Sequence, residues 1–203
     1  MTRRIIIDCD PGQDDAVALL LAFASPEDFD LLGITTVGGN VPLELTHRNA
    51  RMMCDFAGQQ HVPVYAGCGE PLRRPLVTAE AIHGETGING IDVFEPETPL
   101  QDDHAVDFIV STLLDADEPI TLVPTGPLTN IAAALDRSPD ILPKIERIVL
   151  MGGAMREGGN RTPSAEFNII VDPHAADIVL RCGRPITQMG LDVTHQVLST
   201  EDR

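Results

Sequence analysis

The sequence predicts an α/β protein of three layers, a mainly parallel β-sheet flanked by helices in a Rossmann-like arrangement. Three observations carry that expectation. Apolar runs of strand length alternate with helical patterns along most of the 203 residues, which is the rhythm of βαβ units. The first run, Ile5-Ile6-Ile7, is continuously apolar, as a strand covered on both faces requires. No repeat, low-complexity tract or linker interrupts the pattern, so one domain is expected over 1–203. At 43% hydrophobic residues and a mean hydropathy near zero, that length can bury a sizeable core.

In chain order, residues 5–7 are expected as a buried strand and 16–24 as the helix after it. Residues 30–37 (DLLGITTV) form a second strand and 43–57 a helix. A short strand follows at 62–66. Then come a helix at 103–114, a strand at 120–124, a helix at 128–135 and a strand at 147–151. The helix at 173–181 opens with Asp172 as N-cap and Pro173 at its first position, a favoured start. Residues 185–190 give the last strand. Two stretches, 67–100 and 152–171, lack this rhythm and read as long loops. Loops of that length inside an α/β domain are usually functional, and these carry His83-Gly84-Glu85-Thr86-Gly87, Asn160 and Glu166-Phe167-Asn168.

The opening segment places four carboxylates, Asp8, Asp10, Asp14 and Asp15, within eight positions around a Pro-Gly turn. They sit where a strand ends and a helix begins, the edge at which open α/β sheets bind ligands. A helix dipole favours one or two acids there. Four repel one another, so a hard divalent cation with oxygen ligands, or a ribose, is the expected occupant.

The net charge of −17 argues against nucleic-acid or anionic-membrane partners, which select basic patches. No apolar run approaches membrane-spanning length, and no signal-peptide core opens the chain. Cys9, Cys54, Cys68 and Cys182 form no CxxC pair. They read as ordinary buried thiols of a reduced, cytoplasmic protein.

Five segments together resemble the nucleoside hydrolases, particularly the inosine–uridine-preferring ribohydrolases. They are Asp8-Cys9-Asp10-Pro11-Gly12-Gln13-Asp14-Asp15-Ala16, Val37-Gly38-Gly39-Asn40, Ile82-His83-Gly84, Pro124 through Asn130, and Gly158-Gly159-Asn160 through Glu166-Phe167-Asn168 to Asp172-Pro173. The resemblance covers nearly the whole chain and implies that family's fold. It also implies Ca²⁺-dependent hydrolysis of the N-glycosidic bond of ribonucleosides to ribose and free base, with purine or pyrimidine preference left open. Such chemistry needs an activated water, support for an oxocarbenium-like sugar and protonation of the departing base.

On the same resemblance, Ca²⁺ is held by Asp10, Asp15 and the Thr125 carbonyl, and Asp10 is also the general base toward the water. Asp14 and Asn168 meet the ribose 2′ side, Asn160 and Glu166 its 5′ end, and Asn40 completes the sugar pocket. His83 lies near the nucleobase, and Asp8 is a supporting carboxylate. A homodimer or homotetramer is implied.

The residues also admit plainer readings. Asp8 could cap a helix, Asn40 is a natural turn residue, and His83 could be a mere loop histidine. Asn130 is read as a structural cap or buttress of the helix at 128–135, and Met151 as core. Glu166, in an apolar Phe-Asn-Ile-Ile context, needs a polar partner.

Relatives are expected to continue past Arg203 with a further calcium-binding aspartate and an acid histidine, which His195 does not match by motif. A non-catalytic Ca²⁺/ribose-binding fragment is therefore the alternative. A phosphatase with Asp8 as nucleophile fits poorly, because the chain has a single lysine, Lys144, outside any motif.

Overall fold

Among the described residues, seven strands, β1 (Arg3–Cys9), β2 (Phe29–Thr36), β3 (Val64–Ala66), β4 (Leu100–Gln101), β5 (Ile120–Pro124), β6 (Ile145–Met151) and β7 (Ile186–Met189), pair in the order β4-β3-β2-β1-β5-β6-β7. Every pairing is parallel. This is a computed structural model, and it describes residues 2–198 and 200. The expected domain limits at Met1 and Arg203 lie outside the described residues.

The helices are α1 (Gln13–Phe23), α2 (Leu43–Phe56), α3 (Glu80–His83), α4 (Ala105–Asp115), α5 (Thr129–Arg137), α6 (Phe167–Val171), α7 (Pro173–Leu180) and α8 (Leu191–Thr194). A 3₁₀ turn spans Pro139–Lys144. Alternation along β1 sends Ile6 to one face of the sheet and Ile5, Ile7 and Cys9 to the other. Ile6 joins the core built with Ile109, Leu113, Ile131, Leu135 and Val179 from α4, α5 and α7. Ile5 and Ile7 join Leu19, Met52 and Met53 from α1 and α2. Both faces are therefore covered, which is why the β1 sequence is apolar without interruption.

The connections run outward from β1 to β4 on one side and from β5 to β7 on the other. The order reverses between β1 and β5, where Asp8 lies opposite Pro124. A crevice opens at such a reversal, beyond the carboxyl ends of the two strands.

The long elements fall where the sequence places them, within a few residues. α1 starts at Gln13 rather than 16, because Gly12 is its N-cap and Asp14 and Asp15 suit the positive end of its dipole. The stretches read as loops contain α3, α6 and the first residue of β4, each element too short to display a period. α8 and the 3₁₀ turn are likewise additions. All four cysteines are free, but Cys68 and Cys182 are only half-buried, which corrects the reading of four buried thiols.

Candidate active site

Asp10 follows the last residue of β1, at the edge where the sheet's backbone ladder ends. The Asn40 backbone N–H donates to Asp10 Oδ2 at 2.7 Å, and the Asn40 side-chain amide donates to the Asp10 carbonyl at 2.9 Å. Asp10 is 1% exposed, and its Oδ1 is buried without a hydrogen-bond partner. Gly39 and Gly126 close around this carboxyl. A Cβ at either would run into it, so the absence of side chains there makes its seat.

Asp15, in the first turn of α1, turns its Oδ2 back to the Gly12 N–H at 3.2 Å, the reciprocal half of a capping box. Asp14 beside it is exposed. Burial, followed by the Asp15 charge, holds the Asp10 carboxyl well above the ordinary range. Burial and then Asp14 push Asp15 up to about 7, against the Thr125 hydroxyl and the Gly12 N–H, which lower it. The cause is general: desolvation and like charges both disfavour the ionised form.

Asp8 points away from this edge, into the protein. Its Oδ1 accepts from Thr35 Oγ1 at 2.6 Å and from Asn130 Nδ2 at 2.8 Å. Burial still raises it to about 7. Asp8 caps no helix, so its plainer reading is corrected. Asn130 also donates to the Thr36 carbonyl and accepts from the Cys68 N–H. It is structural, as expected, but it ties β1, β2 and the segment after β3 together rather than capping its own helix.

Thr125 follows β5, with its N–H on the Asp8 carbonyl at 2.8 Å. The Thr125 carbonyl accepts from Asn168 Nδ2 at 2.8 Å, and the same amide reaches the Met151 carbonyl at 3.2 Å. A carbonyl has two lone pairs, so one remains for a ligand. The partners Glu166 needs are backbone amides. As N-cap of α6 it accepts from the N–H groups of Asn168, Ile169 and Gly153. Asn160 Oδ1 accepts from the Phe167 N–H at 2.9 Å. His83 ends α3, with its Nδ1 2.7 Å from Gln13 Oε1.

Asp10, Asp14, Asp15, Asn40, His83, Thr125, Asn160, Glu166 and Asn168 all line one cavity of about 410 Å³. The structure thus brings together every site residue expected from sequence. Met151, Arg161 and Phe167 line it too. Met151 is half-buried, which corrects its reading as core. Its place at the end of β6, on the same edge as Asp10, was the available signal. A larger cavity of about 490 Å³, lined by Thr2, Phe29, Leu31 and His61 among others, lies at the opposite edge and holds no carboxylate cluster.

The residues present fit a hard cation. Asp10 Oδ1 is a buried carboxylate oxygen with no donor, the Asp15 carboxylate and the Thr125 carbonyl line the same cavity, and no ammonium or guanidinium pairs with Asp10 or Asp15 among the described residues. The set is a partial one. Among the described residues no group of three His, Cys, Asp or Glu side chains is placed to hold a metal ion, which leaves two carboxylates and a carbonyl.

The family model for inosine-uridine preferring nucleoside hydrolase matches residues 5–203. A pyrimidine-specific ribonucleoside hydrolase, RihA of Photobacterium profundum, is 53% identical over 196 residues, covering 97% of this chain and 63% of the relative. Among solved structures, a plant nucleoside hydrolase, PpNRh1, superposes with a TM-score of 0.92 at 38% identity, covering 97% of this chain and 62% of that one. A purine-preferring ribonucleoside hydrolase from Gardnerella vaginalis gives 0.90 at 41% identity, covering 98% and 64%. The chain therefore spans a little under two thirds of the length of these relatives.

Proposed function

The chain belongs to the inosine-uridine preferring nucleoside hydrolase family, and from that premise we propose that it carries the cation and sugar-binding part of a ribonucleoside hydrolase. The reaction cleaves the N-glycosidic bond with water, giving ribose and a free nucleobase. One observation carries this reading: Asp10, which lines the cavity that the other eight site residues share, has one carboxylate oxygen held by Asn40 and the other buried without a hydrogen-bond partner.

Water attacks C1′ of the ribose as the glycosidic bond breaks, and the bonding pair leaves with the base, which takes up a proton from solvent. Asp10 Oδ1, the oxygen without a donor, takes the water's proton. The Asn40 N–H keeps Oδ2 engaged, so the base is held in one orientation.

Asp10, Asp15 and the Thr125 carbonyl are the residues that would hold Ca²⁺, which when bound lowers the pKa of the attacking water and keeps ribose hydroxyls in register. Asp14 and the Oδ1 of Asn168 serve the 2′ side of the ribose. Asn160 and Glu166 serve the 5′ end, with Glu166 also fixing the turn that presents Asn168. Asn40 closes the sugar pocket and His83 meets the nucleobase. Four free cysteines suit a reducing cytoplasm. The exposed Val17, Leu21 and Phe56 on α1 and α2 suit a homodimer or homotetramer.

A second reading, ligand binding without turnover, draws on the small number of carboxylates around the cation position. Ribose release from uridine and inosine separates the two. The hydrolase reading expects release that stops on adding a calcium chelator and in Asp10→Asn. Nucleoside binding with no release selects the second reading, and absence of binding contradicts both.

A further inference from the structure

Gln13 is the first residue of α1 and stands between the carboxylate cluster and the loop after α3. Its two amide atoms have separate partners. Nε2 donates to the Asn89 carbonyl at 3.2 Å, and Oε1 lies 2.7 Å from His83 Nδ1. A carbonyl oxygen can only accept, so the amide nitrogen must face Asn89 and the amide oxygen must face the ring. An amide oxygen also only accepts. The hydrogen in the short contact therefore belongs to His83 Nδ1, and in the neutral ring Nε2 is left as the acceptor.

The surroundings hold that arrangement. Asn89 returns its own N–H to the His83 carbonyl at 3.0 Å, so one residue positions both Gln13 and His83. Gly12 leaves room for the ring: a Cβ there would lie 2.5 Å from Nδ1 and 2.8 Å from Cε1. His83 is half-buried and lines the same cavity as Asp10 and Asn168, whereas Gln13 does not line it.

We propose that Gln13 is a positioning residue that fixes His83 in its Nδ1–H form and so presents Nε2 as a hydrogen-bond acceptor to the nucleobase, favouring bases that turn a ring N–H toward it. This rests on the reading that the cavity takes a nucleoside with its base at His83. The bases of uridine and inosine carry such an N–H, and methylation at that nitrogen removes it.

The ring form is read from a long-range ¹H–¹⁵N spectrum of the whole chain at about pH 8, well above the ordinary imidazole range. The expected wild-type pattern is Nδ1–H for His83, with Gln13→Met moving it toward Nε2–H. Selectivity is read as the affinity ratio of uridine to 3-methyluridine, and of inosine to 1-methylinosine, in both proteins. Comparing ratios cancels the bulk of the methyl group. The ratio is expected to fall roughly 10-fold in Gln13→Met, the scale of one hydrogen bond.

A wild-type Nε2–H pattern overturns the proposal without reference to any variant. A changed ring form with unchanged ratios overturns its selectivity half. If neither nucleoside binds, the nucleoside reading of the cavity fails, while the spectrum still decides the pairing of Gln13 with His83.

Discussion

Asn40 holds Asp10 from two sides, its backbone N–H on Oδ2 at 2.7 Å and its side-chain amide on the Asp10 carbonyl at 2.9 Å. The consequence is an asymmetric carboxylate, one oxygen held by Asn40 and the other buried without a partner. That asymmetry decides what an amide would do in its place.

In Asp10→Asn the amide oxygen stays on the Asn40 N–H, which leaves the amide NH₂ where Oδ1 was. The variant then loses the proton acceptor and also turns a donor toward the cation position. Ribose release should fall by about 10²–10⁴-fold, the usual scale of a general base, and Ca²⁺ affinity should fall with it. Nucleoside affinity should change less, since the loss is concentrated in the transition state. Parallel measurement of kcat and of the binding constant for a nucleoside analogue checks this. Near-normal kcat contradicts the role given to Asp10.

Gly39→Ala and Gly126→Ala each place a methyl against the Asp10 carboxyl. The next contacts such a methyl would make, Pro127 Cδ at 2.9 Å from position 39 and the Asp10 backbone N at 3.2 Å from position 126, are longer. Calcium affinity and turnover should therefore drop far more than the unfolding midpoint. Titration calorimetry beside urea denaturation tests the separation, and a variant that keeps full calcium affinity would refute the tight seat.

Asp8 and Asp15 are raised from the ordinary 3.8 to about 7. The folded protein therefore binds more protons than the unfolded chain between about pH 4 and 7. Their contribution to stability is greatest below that window and is lost as pH rises through it. In chelator, the urea midpoint should be lower at pH 8 than at pH 5. Calcium should narrow the gap by favouring the ionised carboxylates, and Asp8→Asn should flatten the slope, separating these groups from the overall charge of −17.

Asn130 is fully buried and joins Asp8, Thr36 and Cys68. Asn130→Ala leaves the Cys68 N–H without a partner and takes one donor each from the Asp8 carboxyl, which keeps Thr35, and the Thr36 carbonyl, which keeps the Gly67 N–H, at a cost of about 1–3 kcal/mol. Equilibrium unfolding in urea measures it. A loss below about 0.5 kcal/mol, the scale of an ordinary surface substitution, would contradict its place as a clamp.

The legible part of this protein is the part whose information is local. The apolar run of β1, the long period of α2 and the Asp-Pro start of α7 are each set by neighbouring residues. α3 and α6 contain one turn each, too little for a period to emerge, so they read as loop. The site's residue types were legible because four acids at a strand end cannot be explained by capping alone. Their hydrogen-bond partners were not. Asn130 meets Asp8 across 122 positions of sequence, and Glu166 is a helix cap although glutamate is not a usual N-cap residue. Such pairings exist only once the sheet order brings the strand ends together.

Asp10, Asp15 and the Thr125 carbonyl are proposed to form one calcium position at the cavity. A crystal structure of the chain grown with Ca²⁺ and a ribose analogue tests it most directly. The expected result is a cation within about 2.3–2.6 Å of Asp10 Oδ1, an Asp15 oxygen and the Thr125 carbonyl, with the sugar against it. Calcium bound elsewhere, or an analogue seated in this cavity with Asp10 and Asp15 touching no cation, would contradict it.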